Sequence, residues 1–108
     1  METITTPKQA VQYAQSSAYK PTCVYPRIIH LKGTTPVDGL PQQLAHDYDA
    51  VIIVRKKVGD CTPTPHDIQT ASDCHKVLAG QGIQFLDNII VGDNGIYSFA
   101  EERVYPLD

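Results

Sequence analysis

Long hydrophobic runs are missing from this sequence. The longest, Ala50–Val54 and Ile89–Val91, are far too short to span a bilayer. A basic excess is missing too: the formal net charge is −3, so no global basic field exists to hold nucleic acid. Cysteine is scarce and odd in number. Cys23, Cys61 and Cys74 stand at wide spacing, which excludes a disulfide framework and favours a reducing compartment. The opening "METITTPKQAVQYAQ" has no basic start followed by an apolar run and does not read as a signal peptide. Tryptophan is absent, and internal repeats and low-complexity tracts are absent as well. These absences lead us to expect a soluble, cytoplasmic protein.

What is present is an ordinary globular mixture, 42% hydrophobic and 19% charged over 108 residues. That length fits one compact domain, 1–108, able to fold on a single core. "TTPKQAVQYAQ" offers Thr6 as an N-cap and Pro7 at the first helical position, with Ala10, Val11 and Ala14 on one face, which predicts a short helix over roughly 7–17. "TCVYPRIIHL" (22–31) is β-branched and aromatic, a strand that Pro26 marks as an edge or as bulged. Residues 32–43 read as a loop on their glycines and prolines, and "QQLAHDY" as a turn or two of helix.

"DAVIIVR" (49–55) is continuously apolar and predicts a central strand buried on both faces. "PHDIQTASDCHKVLAGQG" predicts a helix over 65–80, with Ile68, Ala71, Cys74 and Leu78 on one stripe and Gly80 or Gly82 at its end. "QFLDNIIVGDNGIYSFA" reads as two strands joined at Gly92-Asp93-Asn94-Gly95, a hairpin expected at the side of the sheet. The order α-β-loop-β-α-β-β gives the fold class: α/β, a single-domain mixed β-sheet flanked by helices.

Two stretches carry a family likeness. "VRKKVGDCTPTPHD" (54–67) aligns ungapped with the pattern His-x-His-Pro, six residues, Ser, two residues, Asp; Gly59, Asp60, Thr62, Pro63 and Asp67 match by identity and Thr64 stands at the serine. "GIQFLDNIIVGDNGIYSFAEE" (82–102) follows the closing pattern "GIxLLDHIIVGDGxYxSFxE" nearly throughout. Together they resemble the RadC-like branch of the JAB/MPN (JAMM) metalloproteases, over about half the chain. The resemblance implies the JAB/MPN, cytidine-deaminase-like fold, here shortened between the first two strands. It also implies a metal site, and at that site the chain departs from the pattern. The positions of the two histidine ligands hold Val54 and Lys56, and the motif's proline is Lys57. The glutamate that the family carries at the start of its first strand has no counterpart, since no acidic residue lies between Glu2 and Asp38. A catalytic zinc takes three protein ligands and an open position for water. Asp67 alone cannot supply them. The expectation is therefore a degenerate member with no catalytic residues, no metal and no cofactor.

Each of these residues also has a plainer reading. Thr64 and Asp67 in "TPHD" make an N-cap, a proline at N1 and a carboxylate at N3, which is a helix start in its own right. Arg55, Lys56 and Lys57 leave three readings open: a solvated strand end; Lys56 turned inward so that its ammonium meets Asp67; or a local anion- or nucleic-acid-binding patch, though one without interleaved aromatics to stack on bases. Cys61, His66, Cys74 and His75 fit no zinc spacing, and Cys74 falls on the helix stripe. His46 and Asp49 flank Tyr48 without any placed nucleophile. "VGDNG" lacks the Lys-Ser/Thr and helix of a phosphate loop. Six tyrosines suit an interface.

By elimination the sequence points to a protein-binding or regulatory module. Its partner is another protein, or a second copy in a homodimer, and the module could serve as a phage- or mobile-element-borne accessory or inhibitor. Arg55, Lys56 and Lys57 are the candidate binding residues. One alternative is a divergent metal-dependent hydrolase, isopeptidase-like, with ligands from Cys61, His66 and Asp67 or from a partner chain. A second is nucleic-acid binding through Arg55–Lys57.

Overall fold

The computed structural model describes residues 2–16, 24–32 and 50–106. In chain order these form β1 (Glu2–Thr3), α1 (Pro7–Gln15), β2 (Val24–Tyr25), β3 (Arg27–Lys32), β4 (Ala50–Lys56), α2 (Pro65–Gly80), β5 (Gln84–Val91), β6 (Ile96–Ser98) and β7 (Arg103–Tyr105). The last five strands of that list that follow α1 and β2 make one sheet in the order β3-β4-β5-β6-β7, while β1 and β2 pair separately. β3, β4 and β5 run parallel, and β6 and β7 are antiparallel to their neighbours.

The unbroken apolar run in β4 follows from what covers it. Side chains alternate across a strand. Ile52 and Val54 join Ala10, Val11 and Ala14 of α1 in one cluster, whereas Val51 and Ile53 join Cys74 and Leu78 of α2 in another. The helices therefore lie on opposite faces, and Ala50–Val54 is covered on both. At about 25 cal/mol per Å², each fully buried Val or Ile here contributes about 2 kcal/mol.

Helix α1 starts as its sequence predicts: Thr6 Oγ1 accepts from the Gln9 amide at 3.1 Å, with Pro7 at the first position. It ends at Gln15 rather than 17. Helix α2 spans the expected 65–80, and its chain reversal is made at Gly82, whose φ of +75° suits glycine. The strand expected over 22–31 is two strands, β2 and β3, divided at Pro26, and among the described residues β3 is an edge of the sheet. β4 is interior as expected, between β3 and β5, whereas the β5–β6 hairpin does not lie at the side of the sheet, because β7 pairs beyond it. The short helix expected near 42–48 lies outside the described residues.

Candidate functional site

The two signature stretches meet in space. β4 ends at Lys56, and the next amide, Lys57, still donates to Val91 O at 2.9 Å, which keeps the outgoing chain against the end of β5. Beyond it the 58–63 loop meets the turn at 92–95. The Gly59 amide donates to Asp93 Oδ2 at 2.8 Å and the Asp93 amide returns to Gly59 O at 2.7 Å. The Cys61 amide donates to Asn94 Oδ1 at 2.9 Å. "VGDNG" is thus a turn whose two polar side chains reach out to clasp another loop. Gly92 is where the backbones come closest: a Cβ there would stand 2.5 Å from Cys61 N and 2.6 Å from Gly59 O.

At the start of α2, Thr64 and Asp67 form a reciprocal capping box. Thr64 N donates to Asp67 Oδ2 at 2.8 Å, and Asp67 N donates to Thr64 Oγ1 at 3.1 Å. Lys57 completes the group. Its ammonium donates to Asp67 Oδ2 at 2.8 Å and to Thr62 O at 3.0 Å, with the two side chains only 20% and 14% exposed. Burial alone would raise the Asp67 carboxyl, but the bonds from Lys57 and Thr64 outweigh it and hold the group below its ordinary value. On the exposed loop, the Thr62 hydroxyl and amide lower Asp60 likewise.

Of the three readings open for Arg55, Lys56 and Lys57, an inward ammonium on Asp67 is present, but it belongs to Lys57 and not to Lys56. Lys56 is an exposed strand residue, while Lys57 lies past the strand end, where the chain turns toward the helix. Strand alternation does not extend to a residue that has left the ladder, so counting faces along 54 and 56 missed it. Arg55 is 7% exposed and on the α2 face, close enough for its charge to act on the Cys74 thiol. The three cations therefore point three ways and do not share one surface. Val54 is fully buried beneath α1.

These residues do not fit a catalytic zinc. Valine has no lone pair, Lys56 is an exposed strand residue that brings no histidine-type ligand, and Asp67 is already engaged by Lys57. Among the described residues no group of three or more His, Cys, Asp or Glu side chains is placed to hold a metal, Cys61, His66 and Asp67 included. Cys61 is fully buried in the clasp, and burial, then the Asp60 charge, pushes its thiol up; burial does the same for Cys74. Since the thiolate is the nucleophile, neither cysteine should react with iodoacetamide in the folded protein, and both should react in guanidinium. Peptide mapping by mass spectrometry checks this. Native labelling of Cys61 would mean that the clasp opens readily. His46, Tyr48, Asp49 and Cys23 lie outside the described residues, and among the described residues no helix is long and apolar enough to cross a membrane.

A model of the RadC-like JAB domain matches residues 37–104 of the chain. The chain is similar to a UPF0758 protein of Enterococcus faecalis, 43% identical over 47 residues that cover 44% of this chain and 20% of that protein. It is also similar to a UPF0758 protein of Staphylococcus haemolyticus, 38% identical over 63 residues that cover 55% of this chain and 26% of the relative. The chain thus spans about a fifth to a quarter of the length of these curated relatives. No solved structure matches it.

Proposed function

Since the chain belongs to the RadC-like JAB domain family, whose fold usually serves metal-dependent hydrolysis, we propose that it is a member without that chemistry and acts by binding another protein. The observation that carries this reading is the Lys57 ammonium on Asp67 at 2.8 Å. Asp67, the one ligand-type residue that the resemblance retains, is paired with a fixed internal cation, and Val54, at another ligand position of the pattern, is core. A fixed cation neutralises the carboxylate but accepts no electron pair from a water, so it cannot lower that water's pKa as a metal does. A small domain freed of a reaction centre has its surface to act with, and an accessory or inhibitory role toward a larger complex, of the kind carried by phages and mobile elements, is the form of association we favour.

The test is elemental analysis of the purified protein after exhaustive dialysis, together with an assay on an isopeptide-linked substrate. The expected result is far less than one zinc per chain and no cleavage. About one zinc per chain with cleavage that a chelator abolishes would overturn the reading.

A further inference from the structure

Among the described residues, β5 is flanked on its β6 side along only part of its length. Its second half, Ile89–Val91, pairs with β6, and the Asn88 carbonyl accepts from the Phe99 amide at 3.1 Å. There the chain leaves the sheet through the Phe99–Glu102 turn. Gln84–Asp87 pair with β4 on one side, and on the other side no described strand lies beside them. The lane left open among the described residues is continuous with β6 and about 13 Å long at roughly 3.3 Å per residue.

The lane opens onto both faces of the sheet. On the α2 face lies a hollow of 330 Å³ walled by Ile68, Ala71, Phe85 and Phe99, with Asn88 among its lining residues; the buried Asn88 Oδ1 has no hydrogen-bond partner. On the α1 face lies a second hollow of 180 Å³, where Thr5, Thr6, Asp87 and Glu101 supply the polar wall. Leu86, Asp87 and Ala100 line both, so the same stretch of strand edge separates them. Leu86 itself is the extra residue of a bulge: Val51 pairs with Phe85 and Ile52 with Asp87.

An uncovered strand edge recognises one thing, another extended backbone. Side chains of a strand placed in this lane would alternate between the two hollows. From this geometry we infer that the lane beside Gln84–Asp87 is a docking site for an extended segment of a partner protein, with apolar side chains entering the α2-side hollow and basic side chains facing Asp87 and Glu101. The inference rests on the protein-binding reading above and gives that reading a surface. The basic preference follows from charge complementarity: Glu101 lines the α1-side hollow, Asp87 lines both, and no lysine or arginine lines either. The Asp87 carboxylate is held in place by the Ser98 hydroxyl at 2.6 Å and the Ala100 amide at 3.0 Å, so it is pre-positioned for a partner.

The experiment uses two blocked peptides, acetyl-Lys-Phe-Lys-Phe-Lys-amide and its counterpart with Glu for every Lys, titrated into the isotopically labelled full chain. The lysine peptide should shift the backbone amide resonances of Phe85–Asn88 and slow their hydrogen exchange. The glutamate peptide should bind at least ~10-fold more weakly, and N-methylating the central residue of the lysine peptide should weaken it similarly by removing a backbone donor. Ala100 is exposed, so Ala100→Trp should plug the lane and abolish binding without lowering the melting temperature. Glu101→Lys should shift the preference toward the glutamate peptide. Shifts that map elsewhere, equal binding of the N-methylated peptide, or full binding by Ala100→Trp would each overturn the site. A free protein that sediments as a dimer, and that Ala100→Trp dissociates, would overturn it in favour of a second copy in the lane. Failure of the peptide on zinc-free, inactive protein removes the lane alone, whereas stoichiometric zinc with cleavage removes the non-catalytic reading.

Discussion

Gly92→Ala is expected to destabilise the fold by about 4 kcal/mol or more, near the top of what single substitutions do. The added methyl would meet Cys61 N at 2.5 Å, Gly59 O at 2.6 Å and Cys61 Cα at 2.8 Å. All three are backbone atoms, so no rotamer change relieves the contact. That backbone is itself tied down by the Gly59–Asp93 and Cys61–Asn94 hydrogen bonds. Relief would require parting the 58–63 loop from the 92–95 turn and losing those bonds together. Gly80 provides the control: nothing lies within 4 Å of its hypothetical Cβ, and it sits at the end of α2. Gly80→Ala should leave stability unchanged or raise it slightly, by up to about 1 kcal/mol. Thermal unfolding followed by circular dichroism measures both. If Gly92→Ala melts within a few degrees of the parent, the two loops do not approach as described.

Lys57→Met should cost about 2 kcal/mol at neutral pH, or a fall of roughly 9 °C in melting temperature for a domain of this size. The pair is neither a surface salt bridge, typically worth at most about 1 kcal/mol, nor a fully buried one, where removing a partner costs about 3–5 kcal/mol. With the side chains 20% and 14% exposed it falls between. Methionine keeps most of the aliphatic stem and removes the charge, so the loss reports the ammonium. Asp67→Asn should cost a similar amount, and the double variant should lose less than the sum, because each single change already breaks the shared bond.

The pH dependence carries a sign. The native Asp67 carboxyl lies below its ordinary value. Its contribution is therefore fully present above the unfolded value, roughly pH 4, and is lost as pH falls through the lower native value. The gap between parent and Lys57→Met should be widest at neutral pH and close in strong acid. A gap that stays constant down to pH 2 would mean that the methionine harms packing rather than the charge pair.

Much of the local structure was determined by the sequence alone. Thr6-Pro7 and Thr64-Pro65-x-Asp67 specify helix starts because a cap oxygen, a proline and a carboxylate act within one turn of the chain. Ala50–Val54 specifies an interior strand because five consecutive apolar side chains require cover on both faces. The family likeness was legible in the same way, since Gly59, Asp60 and Asp67 match by identity and the 82–102 stretch follows the closing pattern nearly throughout.

Tertiary structure alone decided which lysine faces Asp67. One residue of difference, 56 against 57, places an ammonium in solvent or on the carboxylate, and where the chain leaves the β-ladder is a property of the whole sheet. The roles of Asp93 and Asn94 were hidden for a related reason. A hairpin turn accounts for both residues locally, while the partners of their side chains, Gly59 and Cys61, lie more than thirty positions away. The half-open edge of β5 likewise arises from where β6 stops and which strand becomes its neighbour. Capping and periodicity are short-range and so can be read along the chain. Loop-to-loop bonds, strand order and the reach of a single lysine depend on contacts between distant segments, which exist only once the sheet has formed.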